Sequence, residues 1–263
     1  MDVLTPRSLA EALRQKAERP DAVPIQGGTD LMVALNFDRR RPEVLLNLNE
    51  VPELRGWSRE NGTLRLGSGL TYSEAMAGPV GEALPALAEA SRTVGSPQIR
   101  NRGTLGGNLG TASPAGDGLP PLLVELATVE LWSARGVRTL PLQEFLVGPK
   151  RNAAEPDELI SAVLVEPCGG RQTFMKVGPR NAMVIAVCSL AVVADRERDE
   201  LRASFGSSGP VAGLVTCRLG DAESFAEVVA AAASPIDDVR GTAGYRRHAL
   251  RVLAERALKR VLV

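Results

Sequence analysis

The sequence predicts a mixed α/β protein in two parts: a larger α/β domain over residues 1–167 and a smaller α+β domain over 168–263. Three observations carry that expectation. The first fifty residues alternate helical and extended patterns around a Gly27-Gly28 turn. Asn61-Gly62, flanked by short β runs, marks a two-residue hairpin turn. Beyond Cys168-Gly-Gly170 the pattern changes to three successive β runs followed by two helices.

In chain order, Thr5 as N-cap and Pro6 as first helical residue predict a helix, with Leu9, Ala12, Leu13 and Ala17 at helical spacing up to about Arg19. Val23–Gln26 reads as a short strand. Asp30 is placed to cap a second helix over Leu31–Leu35, and Val44–Leu48 reads as the next strand. A hairpin follows over Leu54–Leu66. Thr71-Tyr-Ser-Glu74 is a capping box that opens a helix, and another helix follows over Ala83–Arg92. Next come a glycine-rich loop, a short helix near Leu119–Leu126, a strand Thr128–Trp132, a hairpin across Ala134-Arg-Gly136 and a strand Glu158–Val165 that ends the first part. The second part reads as β runs Thr173–Val177, Val184–Val193 and Leu201–Gly206, then helices Ala222–Ala233 and Tyr245–Val261. The last helix carries Leu250, Leu253, Ala254, Ala257, Leu258 and Val261 on one stripe.

Composition excludes several function classes. The 263 residues are 44% hydrophobic, enough for a sizeable core. Lys+Arg and Asp+Glu balance at 31 each, so no global field draws the chain to nucleic acid or an anionic membrane. No apolar run reaches bilayer length and the start is not a signal peptide, so a cytoplasmic protein without a membrane span is expected. Cys168, Cys188 and Cys217 lie far apart, which argues against an iron–sulfur or zinc site built by this chain. The one histidine, His248, sits in an arginine-rich helical stretch, and no G-x-S-x-G elbow is present. Hard chemistry here falls to a cofactor.

The segment Gly95–Asp117 is the densest in chemical signal, with Gly103, Gly106, Gly107, Gly110 and Gly116. Backbone amides in such turns form nests that bind phosphates. Gln26-Gly-Gly-Thr-Asp30 and Thr104-Leu-Gly-Gly-Asn108 are two such turns, able to grip a dinucleotide pyrophosphate from both sides. Thr29, Thr104 and Asn108 would add side-chain hydrogen bonds, and Asp117 would accept from a ribose hydroxyl. Taken alone, Gly27-Gly28 reads first as a plain tight turn; the whole 95–117 stretch is too long and too glycine-dense for that. Neither the Rossmann nor the P-loop fingerprint is present, since Gly67-Ser-Gly-Leu-Thr-Tyr72 ends in tyrosine. Lys176 is either a site residue or an edge-strand lysine, and Arg100 and Arg102 face phosphate, a partner or solvent.

Gln26-Gly-Gly-Thr-Asp-Leu31, Gln98-Ile-Arg-Asn-Arg-Gly-Thr-Leu-Gly-Gly-Asn108 and Thr111-Ala-Ser-Pro-Ala-Gly-Asp117 resemble the FAD-binding (medium) subunit of the molybdenum hydroxylases, the xanthine dehydrogenase, carbon monoxide dehydrogenase and aldehyde oxidoreductase family. The likeness continues through Glu158-Leu-Ile-Ser161, Phe174-Met-Lys-Val-Gly178 and Asp238–Arg247. It implies a vanillyl-alcohol-oxidase-type FAD-binding domain over 1–167, with subdomains of about 1–55 and 56–167, and a small α+β flavoprotein domain over 168–263. By motif match, Ile25-Gln26-Gly27-Gly28-Thr29-Asp30-Leu31-Met32 and Thr104-Leu105-Gly106-Gly107-Asn108 would hold the pyrophosphate of non-covalent FAD. Asp117 falls where the family contacts the adenosine part, and Leu159 and Lys176 fall at further flavin-contacting positions. Val94 stands where some relatives place an aromatic near the isoalloxazine.

The resemblance also implies partners: a large subunit with molybdopterin and a small subunit with 2Fe–2S clusters, in a heterotrimer that pairs into a dimer of heterotrimers. FAD would collect electrons and pass them to NAD+, oxygen, a quinone or another acceptor. This chain would then carry no catalytic side chain and no metal ligand, and it lacks the cysteine-rich insertion of reductive relatives. Two other roles stay open at this point: a stand-alone flavin oxidoreductase of the same fold, and a scaffold subunit without flavin.

Overall fold

The computed structural model describes residues 1–263. Three principal sheets organise it. The first is parallel, built from β1 (Asp2–Leu4), β2 (Val23–Ile25) and β3 (Val44–Asn47) in the order β1-β3-β2. The crossovers contain α1 (Leu9–Glu18) and α2 (Leu31–Asn36). α1 starts at Leu9 and not at Pro6. The Ser8 hydroxyl accepts from the Glu11 N–H at 3.2 Å while the Glu11 carboxylate accepts from the Arg7 N–H at 2.9 Å. Thr5 has Ser8 at the equivalent position, which offers no carboxylate, so the reciprocal cap forms three residues later. Leu9, Ala12 and Leu13 then bury against Val44, Leu46 and Leu54.

The second sheet is antiparallel: β4 (Trp57–Glu60), β5 (Thr63–Gly67), β6 (Thr128–Ser133), β7 (Gly136–Pro141) and β10 (Leu159–Val165), in the order β4-β5-β10-β6-β7. β8 (Leu146–Gly148) and β9 (Arg151–Asn152) form a small separate pair. The strand that ends this part of the chain is therefore its central strand. Its run Leu-Ile-Ser-Ala-Val-Leu-Val does not alternate, as suits a strand covered on both faces. Asn61 (φ 49°) and Gly62 (φ 87°) make the expected hairpin turn between β4 and β5. Between β5 and β6 run α3 (Tyr72–Ala75), α4 (Gly78–Ala83), α5 (Pro85–Thr93), α6 (Pro97–Arg100), α7 (Leu105–Thr111) and α8 (Leu119–Val124); α9 (Leu142–Phe145) follows β7. The capping box at Thr71 and Glu74 is present in both directions. Leu66, Leu87, Leu105, Leu122 and Phe145 belong to the core that these helices seal.

The third sheet, β11 (Arg171–Val177), β12 (Cys188–Asp195), β13 (Glu200–Gly206) and β14 (Gly213–Arg218), is antiparallel in chain order. α10 (Phe225–Ala232) and α11 (Ala243–Val261) cover one face. α5 and α8 press Ala86, Ala90 and Val124 onto Phe174, Ala191 and Val193 on the other. β12 is consequently buried at all eight positions. It begins at Cys188, the partner of Val177, so Val184–Val187 belong to the connection and not to the strand. Arg202 pins β13 to α8: its Nε donates to the Val124 carbonyl at 2.6 Å and its Nη1 to Glu200 at 2.7 Å and Asp195 at 3.4 Å. No helix is long and apolar enough to cross a membrane.

Candidate functional site

The first glycine turn lies where β2 gives way to α2. Gly28 has φ +72°, the left-handed region that glycine adopts without a Cβ penalty. The amides of Gly27, Gly28, Thr29 and Asp30 donate to no protein acceptor. Asp30 occupies the N-cap position of α2, yet its carboxylate caps nothing. The Gln26 carbonyl is held from below by the Asn49 side-chain amide at 2.9 Å.

The second glycine segment is helical, not an open loop. α6 and α7 both lie within it, α7 holding Gly106, Gly107 and Gly110, and Thr104 caps α7 by accepting from the Gly107 N–H at 3.0 Å. The Leu105 and Gly106 amides donate to the carbonyls of Leu70 (2.9 Å) and Ser68 (2.8 Å), and the Asn108 amide to Thr104 (3.0 Å). Within the Leu105–Asn108 turn every amide is thus committed inside the protein, whereas those of residues 27–30 are not. What α7 offers is a bare surface: Gly107 and Gly110 are exposed, and a Cβ on Gly107 would meet only the Thr104 hydroxyl, at 3.1 Å.

The two segments touch. A Cβ on Gly27 would overlap the Arg102 carbonyl and stand 3.1 Å from the Gly103 Cα. Arg102 reaches back to the Gln26 carbonyl at 3.5 Å and to Asn49 at 3.4 Å. Asn108 turns the other way: positions 116 and 118 have no room for a Cβ because its side-chain amide lies against both. That contact leads from α7 to Asp117.

Asp117 is buried and paired with Lys176 of β11 at 2.6 Å; the Lys176 ammonium also donates to the Thr93 carbonyl at 3.2 Å. The other Asp117 oxygen is buried without a partner. Thr93 and Lys176, with Gly178, Arg180 and Val184, line a cavity, and Val94 is the next residue after Thr93. Leu159 lies apart from these groups, in the core beneath the first sheet with Leu46 and Leu48. Asn49 and Ser68 support the site but carry no local sequence signal, because their roles arise only when distant segments meet; Arg102, which the sequence left open, holds the first turn and not solvent alone. His248 is exposed on α11 beside Arg251, remote in sequence from every glycine turn.

Burial pushes the Asp117 carboxyl up to about 6, against the opposing pull of Lys176. The folded chain thus holds a proton that the unfolded chain has already released between about pH 4 and 6. Asp117 therefore contributes stability that is lost as pH rises through that window, on the order of a few kcal/mol. Urea midpoints of the native chain and of Asp117→Asn across the window check this. The native chain should lose more stability with rising pH than the variant does; an equal slope in both proteins would contradict it.

Free amides, a left-handed glycine, an exposed glycine face on a helix and a buried charge pair together suit a ligand with a central diphosphate and a planar end group. The mixed α+β fold and these features together suit a flavin-binding protein. The comparisons with known proteins carry the assignment further. Residues 1–166 match the family described as the FAD binding domain in molybdopterin dehydrogenase. The chain is 32% identical over 279 residues to the 6-hydroxypseudooxynicotine dehydrogenase complex subunit alpha of Paenarthrobacter nicotinovorans, covering 99% of this chain and 94% of that one. It is 29% identical over 269 residues to a xanthine dehydrogenase FAD-binding subunit of Escherichia coli, covering 95% and 92%. A chain of carbon monoxide dehydrogenase from Hydrogenophaga pseudoflava superposes with TM-score 0.89 at 26% identity, over 100% of this chain and 97% of the other. The protein belongs to the FAD-binding subunits of the molybdenum hydroxylases.

Proposed function

We propose that this chain is the electron-transfer flavoprotein of a heteromeric molybdenum hydroxylase, working with a molybdopterin-bearing large subunit and an iron–sulfur small subunit. The observation that carries this is the row of uncommitted amides at Gly27–Asp30, packed against Arg102-Gly103 and the start of α7. When bound, FAD supplies a two-electron store between the 2Fe–2S clusters and an acceptor such as NAD+, oxygen or a quinone.

The chain's own residues hold and tune that cofactor. The amides of residues 27–30 and the Thr29 hydroxyl would hold the diphosphate oxygens, and exposed Gly107 would leave room for the ligand beside α7. Asn108 positions the 116–118 segment, so that Asp117 and Lys176 present a fixed pair of charges beside Thr93 and Val94. Valine at position 94 leaves the planar end group without an aromatic neighbour from this position. Ile25, Leu31 and Met32 complete the proposed envelope, and the buried Thr104, Leu105, Gly106 and Leu159 back it from within. The chain divides functionally into a cofactor domain over 1–167 and a buttressing domain over 168–263, and the assembly works in the cytoplasm.

Gly107→Val places a branched side chain on the bare face of α7 and against the Thr104 hydroxyl. The affinity for FAD is expected to fall roughly 100-fold, read as loss of oxidised-flavin absorbance from the purified complex. Unchanged flavin content would refute the placement of the diphosphate. A freshly purified native complex with no flavin would refute the function itself.

A further inference from the structure

The motif Gly67-Ser-Gly-Leu-Thr-Tyr72 is no Rossmann fingerprint because it ends in tyrosine, and that tyrosine lies between the two parts of the site. Tyr72 is the first residue of α3, held by the Thr71–Glu74 capping box and by the bridge between Thr71 and Thr104. Its N–H donates to the Gly103 carbonyl at 3.1 Å. One edge of the ring lies against Gly103, where a Cβ would stand 3.2 Å from Cδ2 and Cε2. The other lies near Gly118, where a Cβ would stand 3.6 Å from Cε1. The ring therefore spans from the Arg102-Gly103 segment, which touches Gly27, to the residue after Asp117.

Tyr72 is 6% exposed, and its hydroxyl bonds to no protein group. Burial, and then the charge of nearby Asp117, push the phenol above its ordinary range, so the group stays a hydroxyl able to donate. Packing does not call for that oxygen: phenylalanine would fill the same space without burying an unpartnered hydroxyl. Two unpaired acceptors stand close by. Asn108 Oδ1 lies 2.7 Å from the same empty Cβ position of Gly118 and is buried without a partner. Asp117 Oδ1 is buried without a partner too, its other oxygen being taken by Lys176. Each buried polar group left unmatched costs roughly 1–3 kcal/mol. Neighbouring hydroxyls on one ligand answer all of them, because a hydroxyl both donates and accepts.

We propose that Tyr72 is a cofactor-positioning residue whose hydroxyl donates to a polyol segment of the dinucleotide, with Asn108 Oδ1 and Asp117 Oδ1 accepting from that segment. The inference rests on the flavoprotein function given above. FAD carries polyol chemistry in its ribityl chain, next to the flavin ring, and in its ribose, next to adenine. The phenol stands between the Gly27–Arg102 contact and the Lys176–Asp117 pair, so it bears on how the ligand is oriented and not on the electron transfer itself.

The test is Tyr72→Phe in the full chain freed of flavin, titrated calorimetrically with FAD, FMN and ADP. FMN has the ribityl chain without the adenosine; ADP has the ribose and a diphosphate without the ribityl chain. FAD is expected to bind the variant about tenfold more weakly than the native chain, the loss of one hydrogen bond to the ligand. A parallel loss for FMN with ADP unchanged assigns the ribityl chain; a loss for ADP with FMN unchanged assigns the ribose. The flavin-free variant should unfold in urea at the native midpoint, since no bond within the protein is removed. Equal FAD affinity in the two proteins would overturn the proposal and leave these groups to ordered water. A variant that unfolds earlier and weakens alike on every ligand would overturn it as well, because the hydroxyl would then be structural. A native chain that binds no FAD would count against the flavoprotein function, and the proposal with it; native FAD binding untouched by the substitution counts against Tyr72 alone.

Discussion

Gly27→Ala is expected to strip FAD from the complex and to lower the unfolding free energy by about 3 kcal/mol. The added Cβ would overlap the Arg102 carbonyl, which is backbone and cannot rotate aside. Relief requires the β2–α2 turn and the segment leading into α7 to separate, and those two elements are the opposed walls of the proposed diphosphate site. Gly28→Ala is the internal control. Its Cβ would meet only flexible Met32 and Ile25 side chains, so its cost comes from φ +72° and amounts to about 1 kcal/mol. Urea midpoints and flavin absorbance of the two variants separate the effects. A Gly27→Ala protein with native flavin content and midpoint would show that the walls do not need to touch.

Arg202→Met is expected to destabilise the chain by about 3–5 kcal/mol. The guanidinium is 1% exposed and joins the Val124 carbonyl, Asp195 and Glu200. Methionine fills much of the volume but leaves the buried Asp195 carboxylate without its strongest partner and the α8 carbonyl without a donor. The damage reaches the site, because Val124 closes the helix that starts two residues after Asp117. Denaturant unfolding reads the stability loss directly. A shift below about 1 kcal/mol would mean that Asp195 is satisfied by the Glu197 and Arg198 amides alone.

Much of the architecture was legible because its signals are local. Asn61-Gly62 dictates its own turn, Thr71 and Glu74 their own cap, and the stripe on Ala243–Val261 its own buried face. The glycine-rich stretch was legible as chemistry but not as shape. Its glycines suggested an open nest; the structure folds Leu105–Thr111 into a helix because Thr104 caps it and because Ser68 and Leu70 supply carbonyls for its first amides. Those acceptors lie more than thirty residues away in the chain and leave no mark near Gly106. The β10 strand shows the same limit: its continuous apolar run declares burial on both faces, but not that β5 and β6 are its neighbours. Lys176 could be either a site residue or an edge-strand lysine in sequence. Its bond to Asp117, fifty-nine positions earlier, is a tertiary fact.

That bond also sets an order of events during synthesis. The glycine turns and α7 leave the ribosome long before β11, so a nascent chain holding only the first 166 residues has both diphosphate walls but no cation for Asp117. The cation arrives when β11 docks Phe174 against Ala86 and Ala90 of α5. Cofactor capture by an incomplete chain therefore meets an Asp117 without its cation, and the finished charge pair is a late product of translation.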